Sequence, residues 1–147
     1  RIIGRRSDLP ADILAIIEQA EARTAHNSRF QLQVAFNYGG QADIVDAARH
    51  LAAAVERGEL TAAQIDEAAF AGALSTRDGP APDMIIRTSG ERRLSNFLLW
   101  ESAYAELIFQ QVLWPDYGPE HLAAAVKEFN GRERRYGGST VDVHAAR

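Results

Sequence analysis

The apolar residues of this chain change their spacing from one segment to the next, and this alternation restricts the folds open to it. Residues 10–23 carry apolar side chains at helical spacing, and residues 30–36 alternate apolar and polar side chains as a strand does. A second helix is predicted over residues 41–57. Strands that alternate with helices predict an α/β fold with a parallel sheet flanked by helices, whose ligands bind beyond the carboxyl ends of the strands.

The rest of the sequence continues this alternation. The predicted elements are a short helix at 62–74, a buried strand over 83–87, a strand over 105–109, a turn at 114–118 and a helix from 119 to 135. Glycine and proline at 79–82 separate the first two of these elements. The residues after Gly138 are expected to form a frayed tail.

Composition excludes several classes of protein. A chain of 147 residues with 46% apolar and 24% charged residues fits one soluble globular domain. The absence of cysteine excludes disulfides, thiolate catalysis and cysteine-bound zinc, and it fits a reducing compartment such as the cytoplasm. Every apolar stretch is far shorter than the roughly 20 residues of a transmembrane helix. A net charge of −4 argues against a general nucleic-acid-binding protein.

Three arginines at the end of a predicted strand form a candidate anion site in this acidic chain. Arg87, Arg92 and Arg93 lie close in sequence to Gly90 and to hydroxyl groups, among them that of Ser95. Guanidinium groups pair bidentately with phosphate oxygens, hydroxyls add neutral donors, and glycine lets backbone N–H groups come close. The alternative is a solvated loop whose arginines pair with neighbouring glutamates. The number of charged residues alone does not decide between an anion site and a solvated loop.

Two more charged features stand out towards the end of the chain. Glu106 lies in an apolar segment, where an acid needs either an arginine or a divalent metal as its partner. The residues alone favour an ion pair. A basic cluster at residues 132–138 closes the last predicted helix, where cations interact favourably with the helix dipole. Taken alone, this cluster is a helix cap.

Common nucleotide-binding and hydrolase motifs are absent from the sequence. Residues 37–40, Asn-Tyr-Gly-Gly, form neither a Walker loop nor the three-glycine dinucleotide fingerprint. The chain has no G-x-S-x-G elbow, and its four histidines lack the zinc-binding spacing H-E-x-x-H. Each histidine is therefore expected to be a surface residue.

Four blocks of the sequence carry a resemblance. They are AFNYGGQADIVDAARHLA (35–52), PDMIIRTSGERRLSNFLLWESAYAELIF (82–109), LWPDY (113–117) and NGRERRYGG (130–138). Together they resemble the cis-prenyltransferases, the undecaprenyl diphosphate synthase family. The resemblance implies an enzyme that condenses isopentenyl diphosphate with an allylic prenyl diphosphate, using Mg2+, to make a polyprenyl diphosphate lipid carrier precursor. It also implies the family's α/β fold with a hydrophobic tunnel, a homodimer, and peripheral membrane contact through the product.

The resemblance assigns roles at matching positions. The matching residues are Arg87, Arg93 and Ser95 for the isopentenyl diphosphate group, Glu106 for magnesium, and Arg135 and Gly137 for the C-terminal R-x-G motif. In the family this last motif reaches the active site of the neighbouring subunit. Residues 37–40 match a motif that is interpreted as a structural strand-to-helix turn.

Two departures from the family pattern bear on activity. The family's Asp-Gly-Asn-Gly-Arg motif, which holds the allylic diphosphate and carries the essential aspartate, does not occur in these residues. Residues 1–138 are therefore interpreted as a cis-prenyltransferase domain lacking its N-terminal part, and residues 139–147 as a tail. No catalytic residue is assigned, and the 147 residues alone are expected to be inactive. Gln41 stands where the family often has arginine.

Two other interpretations remain open. The first is a non-catalytic partner subunit, or an inactive fragment, with the same fold. It is disfavoured because charged groups in a buried site are costly to desolvate unless they are paired, and such a subunit has little reason to keep them. The second is an unrelated phosphate-binding module, which would bind simple phosphates as well as an isoprenoid diphosphate.

Overall fold

The computed structural model describes residues 1–132, which form two compact units. The first unit contains Arg1–Pro80 and Leu94–Trp100. The second contains Ala81–Arg93 and the described residues from Glu101 onward. Each unit is built on its own pair of parallel strands.

The first unit is a strand-helix-strand arrangement followed by further helices. Its elements are β1 (Ile2–Ile3), α1 (Ala11–Thr24), β2 (Val34–Ala35), α2 (Gly40–Glu56), a 3-10 turn (Ala62–Gln64) and α3 (Glu67–Ala73). β1 and β2 pair in parallel, with Ile2 opposite Val34. Parallel strands need a crossover connection, and α1 supplies it.

The second unit pairs two strands that lie far apart in sequence. Its elements are β3 (Met84–Arg87), a 3-10 turn (Glu101–Tyr104), β4 (Glu106–Phe109), a second 3-10 turn (Trp114–Asp116) and α4 (Pro119–Asn130). β3 and β4 run parallel, with Met84 opposite Glu106 and Arg87 opposite Phe109. Parallel strands accompanied by helices confirm the predicted α/β class. Within residues 1–132 the strands form two separate pairs.

Two predicted elements of the first unit have different bounds. The strand predicted over residues 30–36 is reduced to Val34–Ala35. The helix predicted over residues 62–74 is interrupted because Asp66 caps a new helix, its carboxylate accepting a hydrogen bond from the Ala69 N–H at 2.8 Å. Apolar and polar residues do alternate over residues 30–36, but only Val34–Ala35 pairs with another strand.

The last helix is shorter than predicted. It ends at Asn130, and the N–H of the following Gly131 donates to the carbonyl oxygen of Glu128 at 3.1 Å. Glycine commonly follows the end of a helix. The prediction that the helix reaches Arg135 is therefore wrong. Arg132, the first residue of the basic cluster, already lies beyond the helix.

The cores of the two units are small. The buried apolar residues are Ile3, Ile17, Ala47, Leu51, Ala54 and Leu74 in the first unit and Ile108 and Ala125 in the second. α4 turns Ala125 inward, whereas Leu122 and Val126 are exposed. Helical spacing predicts both residues, together with Phe129, on the inward face. A small residue lets a helix approach a strand closely, and the contact through Ala125 rotates the two larger side chains outward.

An apolar segment around β2 is exposed in the structure. Phe30 is 79% exposed and Leu32 is 60% exposed, and Val34 and Phe36 are exposed as well. Phe30, Leu32 and Val34 border an open groove of about 1060 Å³ together with the end of α1. The sequence pattern predicts Leu32, Val34 and Phe36 on an inward face, and among residues 1–132 that face remains open.

We expect the buried centre of β4 to dominate the stability of the second unit. Ile108 is fully buried, so Ile108→Ala removes apolar contacts and leaves a cavity, which lowers the free energy of unfolding by about 2–5 kcal/mol. The matched control is Ile16→Ala, because Ile16 is exposed on α1 and its truncation costs less than about 1 kcal/mol. Urea unfolding measures both. Equal losses in the two variants would contradict the expected burial.

Glu21 makes the stability of the first unit depend on pH. Its carboxylate accepts hydrogen bonds from the Ile2 N–H at 2.8 Å and from the Arg6 guanidinium at 2.8 and 2.9 Å. The Ile2 N–H first, and then Arg6, hold the pKa of Glu21 below its ordinary value. Folding therefore favours the ionised form. Its contribution is complete above the unfolded pKa and is lost as the pH falls through the folded pKa.

We therefore expect Glu21→Gln to lower stability at neutral pH and to flatten its decline below about pH 4.5, the ordinary pKa of the group. Urea midpoints measured from neutral to acid pH test this. Glu18→Gln, at an exposed position on the same helix, controls for the loss of one charge. Parallel stability curves for the Glu21 variant and the unmodified protein would exclude a linkage through Glu21.

Candidate functional site

The candidate anion loop begins where β3 ends. Arg87 is the last residue of β3, and its carbonyl oxygen accepts a hydrogen bond from the Gln110 N–H at 2.8 Å. The Ser89 N–H donates to the Val112 carbonyl oxygen at 2.8 Å. The Gly90 N–H donates to the Gln110 carbonyl oxygen at 2.9 Å. The start of the loop is therefore fixed against the chain that follows β4, at the carboxyl ends of both strands.

This pairing corrects one part of the expected anion site. Backbone N–H groups near Gly90 were expected to approach an anion, but those of Ser89 and Gly90 donate to carbonyl oxygens within the protein. A backbone N–H has a single hydrogen to donate. The N–H groups of Ser89 and Gly90 are therefore not available to an anion.

The three arginines differ in whether an acidic side chain pairs with them. Arg93 pairs with Glu91, as the solvated-loop alternative predicts, and 67% of the Arg93 side chain is exposed. An exposed pair of this kind contributes little to stability. Within residues 1–132, neither Arg87 nor Arg92 forms an ion pair. Among these described residues, the charges of Arg87 and Arg92 therefore have no acidic partner.

Ser95 lies in the first unit, whereas Arg87 and Arg93 belong to the second. Its φ is +50° and that of Asn96 is +65°. Few residues other than glycine adopt this left-handed conformation, and asparagine is one of them. Ser95 is exposed, so its hydroxyl can meet a ligand.

The turn at residues 37–40 leads into α2 and contacts the segment that carries Ser95. The Gly40 N–H donates to the Asn96 carbonyl oxygen at 2.7 Å. The Gln41 N–H donates to the Asn96 Oδ1 at 2.8 Å. These contacts agree with the structural role expected for the turn.

Glu106 opens β4 and is paired with an arginine. Arg132 Nη1 donates to Glu106 Oε2 at 2.7 Å, and Arg132 Nη2 donates to Glu128 Oε1 at 2.5 Å. The hydrogen bond to Glu106, followed by that to Glu128, raises the pKa of Arg132 above its ordinary value. The ion pair that the residues favour is therefore present. Arg132, interpreted from sequence as part of a helix cap, binds Glu106 instead.

Glu106 and Arg87 lie at opposite ends of the β3–β4 pair. Met84 is opposite Glu106 and Arg87 is opposite Phe109, so three residues of strand separate them by about 10 Å. Within residues 1–132, no group of three or more acidic, histidine or cysteine side chains could hold a metal ion. The cationic loop and the carboxylate of Glu106 are therefore separate features of the second unit.

The sequence pattern does not predict the structural roles of Asn96 and Arg132. A signal for Asn96 exists, because asparagine tolerates a left-handed backbone where most residues do not. The pairing of Arg132 has no local signal, since Glu106 lies 26 residues away. Arg135 and Gly137 lie outside the described residues.

The fold and the loop define an α/β protein with an arginine-rich loop at the carboxyl end of a parallel strand. Comparison with known families makes this more specific. The family described as "Putative undecaprenyl diphosphate synthase" matches residues 1–137. The chain belongs to this family, as its sequence blocks indicate.

Relatives and a solved structure support the assignment. Isoprenyl transferase from Caulobacter vibrioides is 66% identical over 142 residues, which are 97% of this chain and 55% of that protein. A ditrans,polycis-undecaprenyl-diphosphate synthase ((2E,6E)-farnesyl-diphosphate specific) from Pseudomonas aeruginosa is 50% identical over 99% of this chain and 58% of that protein. The crystal structure of lavandulyl diphosphate synthase from Lavandula x intermedia, in complex with dimethylallyl diphosphate, matches with a TM-score of 0.89 and 40% identity. That match covers 92% of this chain and 58% of the other. The chain thus spans little more than half the length of these relatives.

We expect Glu106 and Arg132 to be energetically coupled. The side chains are 24% and 34% exposed, so a double-mutant cycle with Glu106→Ala and Arg132→Ala gives a coupling of about 1 kcal/mol. Urea unfolding of the four proteins measures it. Glu128→Ala is the control, because its more exposed pair with Arg132 has a smaller coupling. Additive effects of Glu106→Ala and Arg132→Ala would show that the pair contributes nothing.

Proposed function

We propose that the protein is a cis-prenyltransferase that condenses isopentenyl diphosphate with an allylic prenyl diphosphate to form a polyprenyl diphosphate. The observation that carries the proposal is the loop after β3, where Arg87 and Arg92 lack ion-pair partners within residues 1–132. The loop occurs in a chain of the undecaprenyl diphosphate synthase family. Named relatives include an isoprenyl transferase and an undecaprenyl-diphosphate synthase.

Arg87, Arg93 and Ser95 are proposed to bind the diphosphate of isopentenyl diphosphate. Each guanidinium offers parallel N–H donors to phosphate oxygens. Arg93 must leave Glu91 to do so, and since that pair is exposed its loss costs little. A charge-assisted hydrogen bond contributes a net stabilisation of about 1.5–3 kcal/mol. A few such bonds are enough to hold a small diphosphate ester.

Glu106 is proposed to contact Mg2+. Mg2+ keeps several waters and binds proteins through one or two carboxylates together with substrate phosphates, so a single carboxylate fits its preferences. Glu106 Oε2 is held by Arg132, which orients the carboxylate. When bound, the ion supplies positive charge that stabilises the departing diphosphate.

The other contribution of the protein to this mechanism is to position the two substrates. Departure of the allylic diphosphate leaves a delocalised carbocation and places negative charge on the leaving group, which arginines stabilise. Arg87, Arg93 and Ser95 fix isopentenyl diphosphate so that its double bond faces the allylic carbon. Orientation of this kind accelerates a reaction more than any single hydrogen bond does. A hydrophobic tunnel is proposed to keep water from the cation.

The active assembly is proposed to be a homodimer. Arg135 and Gly137 are proposed to reach the active site of the neighbouring subunit.

Residues 1–138 are proposed to act as one part of a cis-prenyltransferase domain, and residues 139–147 as a tail. The family model, which matches residues 1–137, supports this division. A cytoplasmic location is proposed, with membrane contact through the product. Each helix within residues 1–132 is too short or too polar to cross a membrane.

The residues present support an enzyme over a non-catalytic subunit. The family positions for diphosphate and magnesium binding are occupied by Arg87, Arg93, Ser95 and Glu106. A subunit that only supports a partner has no need to keep this set of residues together.

We expect the complete polypeptide that carries this sequence to incorporate radiolabelled isopentenyl diphosphate when given farnesyl diphosphate and Mg2+. Arg87→Ala removes a charge-assisted contact and raises the KM for isopentenyl diphosphate about tenfold or more. Steady-state kinetics with each substrate varied in turn measures this effect. The KM for farnesyl diphosphate is expected to change less than about twofold.

The control is Arg57→Ala, since Arg57 pairs with Glu59 just after α2 and has no proposed role in binding. It should leave both KM values unchanged. The 147 residues assayed alone are expected to show no turnover. Failure of the complete polypeptide, of verified intact mass, to incorporate label would overturn the proposed function.

A further inference from the structure

The N-terminus of α2 is capped by a residue far away in sequence. The N-cap position is Gly39, which has no side chain to accept a hydrogen bond. Asn96 supplies both missing acceptors, because its carbonyl oxygen accepts from the Gly40 N–H at 2.7 Å and its Oδ1 accepts from the Gln41 N–H at 2.8 Å. A tertiary contact between residues 55 apart thus replaces the local side-chain cap that most helices use.

Two glycines make room for this contact. A Cβ added at Gly39 would lie 2.7 Å from Asn96 Nδ2. A Cβ added at Gly40 would lie 2.9 Å from Leu99 Cγ and 3.1 Å from the Asn96 carbonyl oxygen. Any larger residue would push the segment away from α2. The Gly-Gly pair therefore forms a notch that receives residues 96–99.

The segment that enters the notch is conformationally strained. Ser95, Asn96 and Leu98 have φ values of +50°, +65° and +45°. Such conformations are unfavourable for residues with a Cβ and persist only where the surroundings hold them. The hydrogen bonds from α2, and the edge-on contact of the Phe97 and Tyr38 rings with centroids 6.1 Å apart, supply that support.

We propose that Asn96 is a positioning residue that fixes the backbone of Ser95 for binding isopentenyl diphosphate. The proposal rests on the proposed function, in which Ser95 contacts the diphosphate. Asn96 uses its acceptors on α2 and holds the adjacent Ser95 at a fixed φ. Without the cap, the segment relaxes and the Ser95 hydroxyl loses its orientation.

The same geometry shows which part of Gln41 the cap uses. Its contact with Asn96 is made by the backbone N–H, which every residue except proline carries. The change from arginine to glutamine at this position therefore leaves the cap intact. The absence of a positive side chain at position 41 therefore does not change the conformation of Ser95 through this contact.

Three variants of the complete polypeptide separate the two properties of Asn96. Asn96→Asp keeps the side-chain acceptor and tolerates the left-handed backbone, Asn96→Gly loses that acceptor but keeps the backbone freedom, and Asn96→Ala loses both. All three keep the backbone carbonyl oxygen that accepts from the Gly40 N–H. The readout is the Kd of isopentenyl diphosphate with Mg2+, measured by calorimetry in the absence of allylic substrate. We expect Asn96→Gly to weaken binding about fivefold, Asn96→Ala to weaken it further, and Asn96→Asp to recover most of the loss.

The matched control is Asp66→Ala, which removes the cap of α3. It destabilises the same unit by the same kind of lost hydrogen bond, and it should leave the Kd unchanged. Equal weakening by Asp66→Ala, or an unchanged Kd in both Asn96→Gly and Asn96→Ala, would overturn the proposal.

The binding readout separates this proposal from the proposed function. If the unmodified polypeptide binds isopentenyl diphosphate but does not incorporate it, the proposed reaction fails while the role of Asn96 is still decided by the variants. If it does not bind isopentenyl diphosphate at all, both proposals are wrong. Hydrogen exchange gives an independent check, because the Gln41 amide should exchange faster in Asn96→Gly than in the unmodified protein.

Discussion

The parallel pairing of β3 with β4 is the interaction on which the candidate site depends. It places Arg87 opposite Phe109 and continues beyond the ladder through hydrogen bonds that fix the start of the loop. A slip of one residue turns every side chain of a strand to the opposite face. The burial of Ile108 therefore specifies the register, and through the register it specifies where Arg87 lies. The packing of Ile108 and the position of Arg87 therefore both depend on the register between β3 and β4.

Several arginines of the described chain are neutralised by acidic side chains, whereas two at the end of β3 and in the loop after it are not. Arg5 and Asp46 form a two-bond pair at 2.7 and 2.8 Å, and Arg5 lowers the pKa of Asp46. Arg132 is shared between two glutamates. Arg87 and Arg92 form no such pair within residues 1–132, although the net charge of the whole chain is −4. An overall acidic chain can thus concentrate uncompensated positive charge at one loop, which is what a small anionic substrate requires.

Sequence periodicity predicts α1, β3 and β4 to within about one residue, because each is specified by local spacing and by its own breakers. It fails for β2, since a strand needs a partner and the ladder there is two residues long. It also misplaces the inward face of α4, which depends on how closely Ala125 can approach its neighbour. The resemblance to the family locates Glu106 but not its partner, because the contact with Arg132 exists only in three dimensions.

The segments before and after the loop arginines are each held by hydrogen bonds within their own unit. The start of the loop is held by the hydrogen bonds of Ser89 and Gly90, and the segment after it by those between Asn96 and α2. The arginines in between are long and exposed, and the pair between Arg93 and Glu91 is weak enough to exchange for a phosphate. Hydrogen bonds that order a segment before a ligand arrives reduce the conformational entropy lost on binding. In the proposed diphosphate site, the order gained on binding would therefore fall mainly on the arginine side chains.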